Sequence, residues 1–145
     1  MSESVVVQKL VAEARKAMEQ SYSPYSGFPV GAAVQTIDGR IFRGCNVENA
    51  VHSVSICAER SAISSAVSEG HKQFKSMAIV AKLPVGSGDG QQVIVPCGVC
   101  RQLMREFSTD LTIYLVRSDN TYDKTSLDVL YPMSFGPHYL LNDNK

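Results

Sequence analysis

The sequence predicts an α/β domain in which helices cover the faces of a sheet. Three observations lead there. Helix-like and strand-like segments alternate along the chain in the order α-β-β-α-β-α-β-(β)-α. The segments after the second and third helices, Met77 to Ala81 and Leu111 to Val116, are short unbroken apolar runs, as in strands buried on both faces. The helical segments place their apolar residues on one side.

Val7, Leu10, Val11, Ala14, Ala17 and Met18 follow i, i+3, i+4, i+7 spacing and predict an amphipathic first helix. Ser23-Pro24-Tyr25-Ser26-Gly27 breaks it. Val30 to Thr36 and Arg40 to Gly44 read as strands joined at Asp38-Gly39, a hairpin turn pair. Asn46 to Ser55 is polar and loop-like. A second helix is expected from near Cys57, with Ser55 as N-cap, and ends at Gly70. Its apolar stripe is Ala58, Ala62, Ile63, Ala66 and Val67. Residues 84–92 hold three glycines and read as a loop. A third helix starts just after Pro96 and carries Val99, Leu103, Met104 and Phe107. Thr121 to Thr125 is expected as an edge strand after the turn at Ser118-Asp119-Asn120, and Ser126 to Leu130 as a short helix ended by Pro132.

The 145 residues suit one domain spanning 1–145, able to bury a core without disulfides. Fourteen basic and fourteen acidic side chains cancel, so no long-range field draws the chain to a polyphosphate. The reading therefore excludes nucleic acid as a partner. It also excludes a membrane, because no apolar run approaches the length of a bilayer span and no signal-peptide core opens the sequence. A cytoplasmic location is expected. Reduced thiols are the rule there, so the four cysteines read as ligands, nucleophiles or core residues rather than a disulfide set.

Two fragments carry the chemistry: Cys57-Ala58-Glu59 and Pro96-Cys97-Gly98-Val99-Cys100. Cys97 and Cys100, three apart at a helix start, share a face and can hold one ion. Cys57 at a second helix start supplies a third sulfur. Three sulfurs fill three corners of a Zn²⁺ tetrahedron and leave the fourth for water, as in a catalytic site. Helix N-termini favour thiolates, and Arg60 is placed to hydrogen-bond a sulfur and offset charge. Residues two apart diverge within a helix, so Cys57 is expected at the cap with Glu59 reaching round the helix end. A carboxylate there can take a proton from water and deliver it elsewhere. Alone, each fragment has an ordinary explanation: a redox C-x-x-C, or a core cysteine. Together they form the C-x-E…P-C-x-x-C signature of zinc deaminases that act on nucleobases. Cys45 offers an alternative as fourth ligand of a closed structural Cys₄ site; that leaves Glu59 without a task, and Cys45 is read instead as a small buried residue.

From about Ser21 to His138 the chain resembles the small homotetrameric cytidine deaminases. The resemblance rests on Ser23-Pro24-Tyr25-Ser26, Phe28 to Ala33, Gly44 to Ala50, Ile56 to Arg60, Pro96 to Gln102 and Leu130 to Pro137. It implies a three-layer α/β/α sandwich around a mixed five-stranded sheet. It implies one zinc per subunit on Cys57, Cys97 and Cys100, with Glu59 protonating N3 of cytosine and helping to expel the amino group as ammonia, in pyrimidine salvage. It places Asn46 and Glu48 on the ribose 3′-hydroxyl and Phe28 beside sugar and base; the plainer roles of these residues are loop caps and core. The Ala58 N–H, unpaired at a helix start, is available to the base O2. Where the family often has Tyr near the 5′-hydroxyl of a neighbouring subunit's substrate, this chain has His52, which reads equally as an exposed loop histidine. Phe135 matches an aromatic that enters a neighbour's active site in a homotetramer; its plainer role is a packing anchor. A blasticidin-type deaminase, the nearest rival, lacks the Asn46-x-Glu48-Asn49 grip.

Overall fold

Val7, Leu10, Val11, Ala14 and Ala17 form the buried face of α1 (Glu3–Glu19). Its N-cap Ser2 accepts from the Val5 N–H at 3.4 Å, as a short hydroxyl does for an unpaired first-turn donor. In this computed structural model residues 1–83, 86, 88 and 90–141 are described. The strands are β1 (Val30–Thr36), β2 (Ile41–Cys45), β3 (Phe74–Ala81), β4 (Thr112–Val116) and β5 (Tyr122–Ser126). They form one mixed sheet in the order β2-β1-β3-β4-β5. β1 pairs antiparallel with β2 and β3, β3 pairs parallel with β4, and β5 closes the far edge antiparallel to β4. Gly39, at φ 92°, makes the β1–β2 turn, a backbone region that favours glycine.

Side chains alternate across the sheet as the strand period requires. Val30, Ala32 and Val34 of β1, Met77 and Ile79 of β3, and Ile113 and Leu115 of β4 face one core, with Ala62, Ile63, Cys100, Met104 and Leu127. Ala33, Ala78, Val80, Tyr114 and Val116 face the other, with Leu10 and Ala14 of α1. Thus α2 (Ala58–Ser68), α3 (Gly98–Phe107) and the short α4 (Leu127–Leu130) supply the first layer and α1 the third. This is the α/β/α sandwich with a mixed five-stranded sheet that the resemblance implied. Two glycines let the layers close. A Cβ on Gly31 would stand 2.0 Å from the Ala14 carbonyl, and one on Gly44 2.3 Å from the Ala62 nitrogen and 2.7 Å from the Ala58 carbonyl.

Several expectations need correction. The N-cap of α2 is Cys57, not Ser55; the Ser55 hydroxyl accepts from the Asn49 N–H at 3.0 Å instead. Pro96 lies one residue outside the α3 cap, Cys97. Val99, read as part of the apolar face of α3, is exposed, while Cys100 and Met104 are buried. Cys45 is half-buried rather than buried. β2 and β5 each run one residue later than expected. Of the loop expected over 84–92, residues 84, 85, 87 and 89 lie outside the described residues. Among the described residues no helix is long and apolar enough to cross a membrane.

Candidate metal centre and active site

The loop after β2 folds back on itself. Val47 and Ile56 exchange both backbone hydrogen bonds at 2.9 Å, and Val47 also bridges Tyr22. This lays Asn46-Val47-Glu48 beside Ile56-Cys57-Ala58 just where α2 begins. Cys57 caps α2, Cys97 caps α3, and Cys100 sits in the first turn of α3. Neither cap makes a side-chain capping bond; both thiols turn toward each other. Cys57 and Cys97 Sγ are 4.0 Å apart, Cys97 and Cys100 Sγ 3.5 Å apart, and all three sulfurs lie within 4.8 Å. Sulfurs bound at about 2.3 Å to a tetrahedral zinc stand about 3.8 Å from one another. The donor set fits zinc, and Cys45, on the Gln20 carbonyl at 3.6 Å, is outside it.

The electrostatics suit thiolate ligation. A hydrogen bond from Cys100, reinforced by Arg60, pulls the Cys57 thiol down to about 5, while the same bond and burial push Cys100 up. Arg60 Nη2 donates to the Ser55 carbonyl at 3.0 Å and lies 3.9 Å from Cys57 Sγ. Its Nε is buried without a partner among the described residues. Glu59, 5% exposed, comes round the first turn of α2 to hydrogen-bond Cys100. Burial is the main cause that raises its pKa, and the nearby Cys57 charge adds to it. Desolvation penalises the ionised form, so Glu59 holds a proton more readily than a surface carboxylate.

A cavity of about 300 Å³ opens beside the cluster, at the small end of ligand pockets. Cys57, Ala58, Glu59 and Cys97 line it together with Phe28, Asn46 and Glu48. Asn46 is already engaged: Oδ1 accepts from the Val30 N–H at 2.9 Å and the Ser21 hydroxyl at 2.5 Å, and Nδ2 donates to the Phe28 carbonyl at 2.8 Å. One amide hydrogen remains after these bonds. Glu48 Oε1 accepts from the Tyr25 and Ser26 N–H groups, each at 3.0 Å. The Ser26 hydroxyl and these N–H donors hold the carboxyl below its usual range, so it stays an acceptor.

Two expected residues stand apart. His52 lies on an exposed 3₁₀ turn (His52–Val54), edge-on to the Tyr25 ring at 5.9 Å, and does not line the cavity. Phe135 is 55% exposed and stacks on Tyr139, also outside the cavity of its own chain. Ser26, Ile94 and Val95 line the cavity and were missed. The signal for the last two was their place directly before Pro96-Cys97; for Ser26 it was the glycine turn that precedes Phe28.

A family model described as the cytidine and deoxycytidylate deaminase zinc-binding region matches residues 5–116. The cytidine deaminase of Sporosarcina psychrophila is 44% identical over 130 residues, 89% of this chain and 90% of its own. A probable cytidine deaminase of Dictyostelium discoideum is 38% identical over 135 residues, 93% of this chain and 87% of its own. The crystal structure of cytidine deaminase from Burkholderia pseudomallei has a TM-score of 0.81 at 38% identity, over 93% of this chain and 100% of that one. The family model takes in both cysteine fragments and strands β1 to β4, and the chain belongs to the zinc-binding cytidine and deoxycytidylate deaminase family.

Proposed function

We propose that this chain converts cytidine, and 2′-deoxycytidine, to uridine or deoxyuridine with water consumed and ammonia released, as a cytoplasmic step of pyrimidine salvage. One observation carries the reading: the buried carboxyl of Glu59 and two members of the three-sulfur cluster, Cys57 and Cys97, line the same cavity as Asn46 and Glu48. Zinc on Cys57, Cys97 and Cys100 supplies a Lewis acid that lowers the pKa of a water toward neutrality.

The chain's own residues bind, orient and move protons. Glu59, with its raised pKa, accepts a proton from water and delivers it to N3 of the ring, then to the departing amine. The Ala58 N–H, in the first turn of α2 and without an intrahelical acceptor, donates to the base O2. The spare Asn46 hydrogen and the Glu48 carboxylate bracket the ribose 3′-hydroxyl as donor and acceptor. Phe28 packs against the sugar and base.

Four copies complete the site. The Phe135 ring, exposed in its own chain, covers the nucleoside of a neighbour and excludes water there, strengthening polar contacts with the reacting centre. His52 is left for the boundary between copies, near the 5′-hydroxyl. An ammonia-release assay across cytidine, 2′-deoxycytidine, adenosine and blasticidin S tests the activity. Turnover confined to the first two is expected; turnover of blasticidin S alone overturns the substrate. Glu59→Gln is expected to keep fold and zinc and lose at least about 10²–10⁴-fold in kcat; a variant keeping a tenth of kcat removes Glu59 from proton transfer.

A further inference from the structure

Phe135 is exposed, yet its neighbours are not loose. Ser134 is half-buried and Gly136 is buried. The grip comes from α3. Arg105 Nε donates to the Ser134 hydroxyl at 2.9 Å, and Gln102 Nε2 donates to the Phe135 carbonyl at 3.0 Å. Gln102 Oε1 in turn accepts from the Tyr131 hydroxyl at 2.5 Å. Arg105 Nη2 lies 3.1 Å from His138 Nδ1 on the far side. A Cβ on Gly136 would stand 2.8 Å from Arg105 Cζ and 3.0 Å from both terminal nitrogens. The φ of Gly136 is −157°, extended backbone that any residue adopts. Glycine is needed there so that the guanidinium can lie against the chain.

We propose that Arg105, lying flat on Gly136, and Gln102 are positioning residues that aim the Phe135 ring. Both lie on the helix that Cys97 caps and whose first turn holds Cys100. A helix is stiff over two turns, so the ring stands at a fixed offset from its own chain's metal cluster. Arg101, next to Gln102, strengthens the link: it donates to the Pro96 carbonyl at 2.8 Å and to the Leu130 carbonyl at 2.5 Å. The inference rests on the reading that Phe135 covers a neighbour's nucleoside, and it names what that reading lacks, the device that holds an exposed ring in place before substrate arrives. Preorganisation of this kind lowers the ordering cost of binding.

The test uses zinc-loaded protein with Phe135→Ala, Gly136→Ala, Arg105→Ala and their pairs. Gly136→Ala and Arg105→Ala are each expected to raise KM for cytidine about two- to tenfold, with kcat and zinc content unchanged. Neither should add to Phe135→Ala, because there is then no ring to aim. Gly136→Ala should add nothing in the Arg105→Ala background, where the guanidinium no longer fills the space. A general loosening of the fold would instead lower the melting temperature and act in every background. If Phe135→Ala raises KM while Gly136→Ala and Arg105→Ala do not, the positioning role is wrong and the reading of Phe135 stands. Rises that add to Phe135→Ala also overturn it. If Phe135→Ala leaves KM unchanged, the reading of Phe135 falls, and this inference falls with it.

Discussion

Arg60 Nη2 reaches the Cys57 sulfur at 3.9 Å while holding the Ser55 carbonyl at 3.0 Å. The guanidinium thus spans the residue two before the cap and the cap itself. Three thiolates outweigh the charge of a divalent ion, and this cation offsets part of the excess. Arg60→Gln is expected to weaken zinc binding about 10–100-fold, read by competition with a chelator. Unchanged zinc affinity would assign Arg60 to loop structure alone.

Cys45 holds the Gln20 carbonyl through its thiol and stands outside the sulfur cluster. Cys45→Ala is expected to keep one zinc per chain by metal analysis. Cys57→Ala, Cys97→Ala and Cys100→Ala should each lose it. Zinc lost with Cys45→Ala would restore a closed four-sulfur site.

Asn46 serves two tasks, so its substitution has two readouts. Asn46→Ala leaves the Val30 N–H and Phe28 carbonyl without their partner, which costs about 1–3 kcal/mol in a denaturant melt. It also removes the donor assigned to the ribose. Cytosine, which lacks the sugar, should fall on the order of 10⁴-fold below cytidine in kcat/KM, because it leaves Asn46 and Glu48 unpaired. Comparable values for the two would remove both residues from substrate recognition.

Gly44 lies against the first turn of α2, the turn that follows Cys57 and carries Glu59. The obstacles a Cβ would meet are largely backbone, which cannot swing aside. Gly44→Ala is expected to cost at least about 1–3 kcal/mol and to lower zinc affinity with it, since the helix start must shift. Gly39→Ala is the control. Its φ is 92° but its surroundings are open, so it should lose about 1–2 kcal/mol with zinc affinity intact.

Much of this was legible in the sequence, where local chemistry and periodicity agree. The α1 stripe follows from spacing, β1 from a strand-like run leading to the Asp38-Gly39 turn pair, and the two cysteine fragments place a metal at two helix starts. The N-cap of α2 was legible by one route and not by the other: cap preference points to Ser55, while the need for Glu59 to reach round the helix end points to Cys57, which is the cap. Val99 fits the helical period of α3, but only the tertiary packing of α3 decides that Cys100 and Met104 face inward. Gly44 and Gly136 were unreadable for a similar reason. Each is required by a distant segment, α2 or Arg105, and nothing next to them in sequence announces it. Phe135 was singled out by resemblance, while Arg105, which bonds the Ser134 hydroxyl beside it, was not.

The layering gives the molecule two separable adjustable parts. Among the described residues α1 covers the face of the sheet turned away from the cysteines, packing Leu10 and Ala14 on Ala33 and Ala78. A sheet stands about 10 Å from what packs on each face, and effects at such separations mostly add without coupling. Substitutions under α1 are therefore expected to shift heat tolerance while leaving catalytic constants where they are. Adaptation to a warmer or colder habitat can proceed in that layer, generation by generation, without a compensating change at the catalytic one.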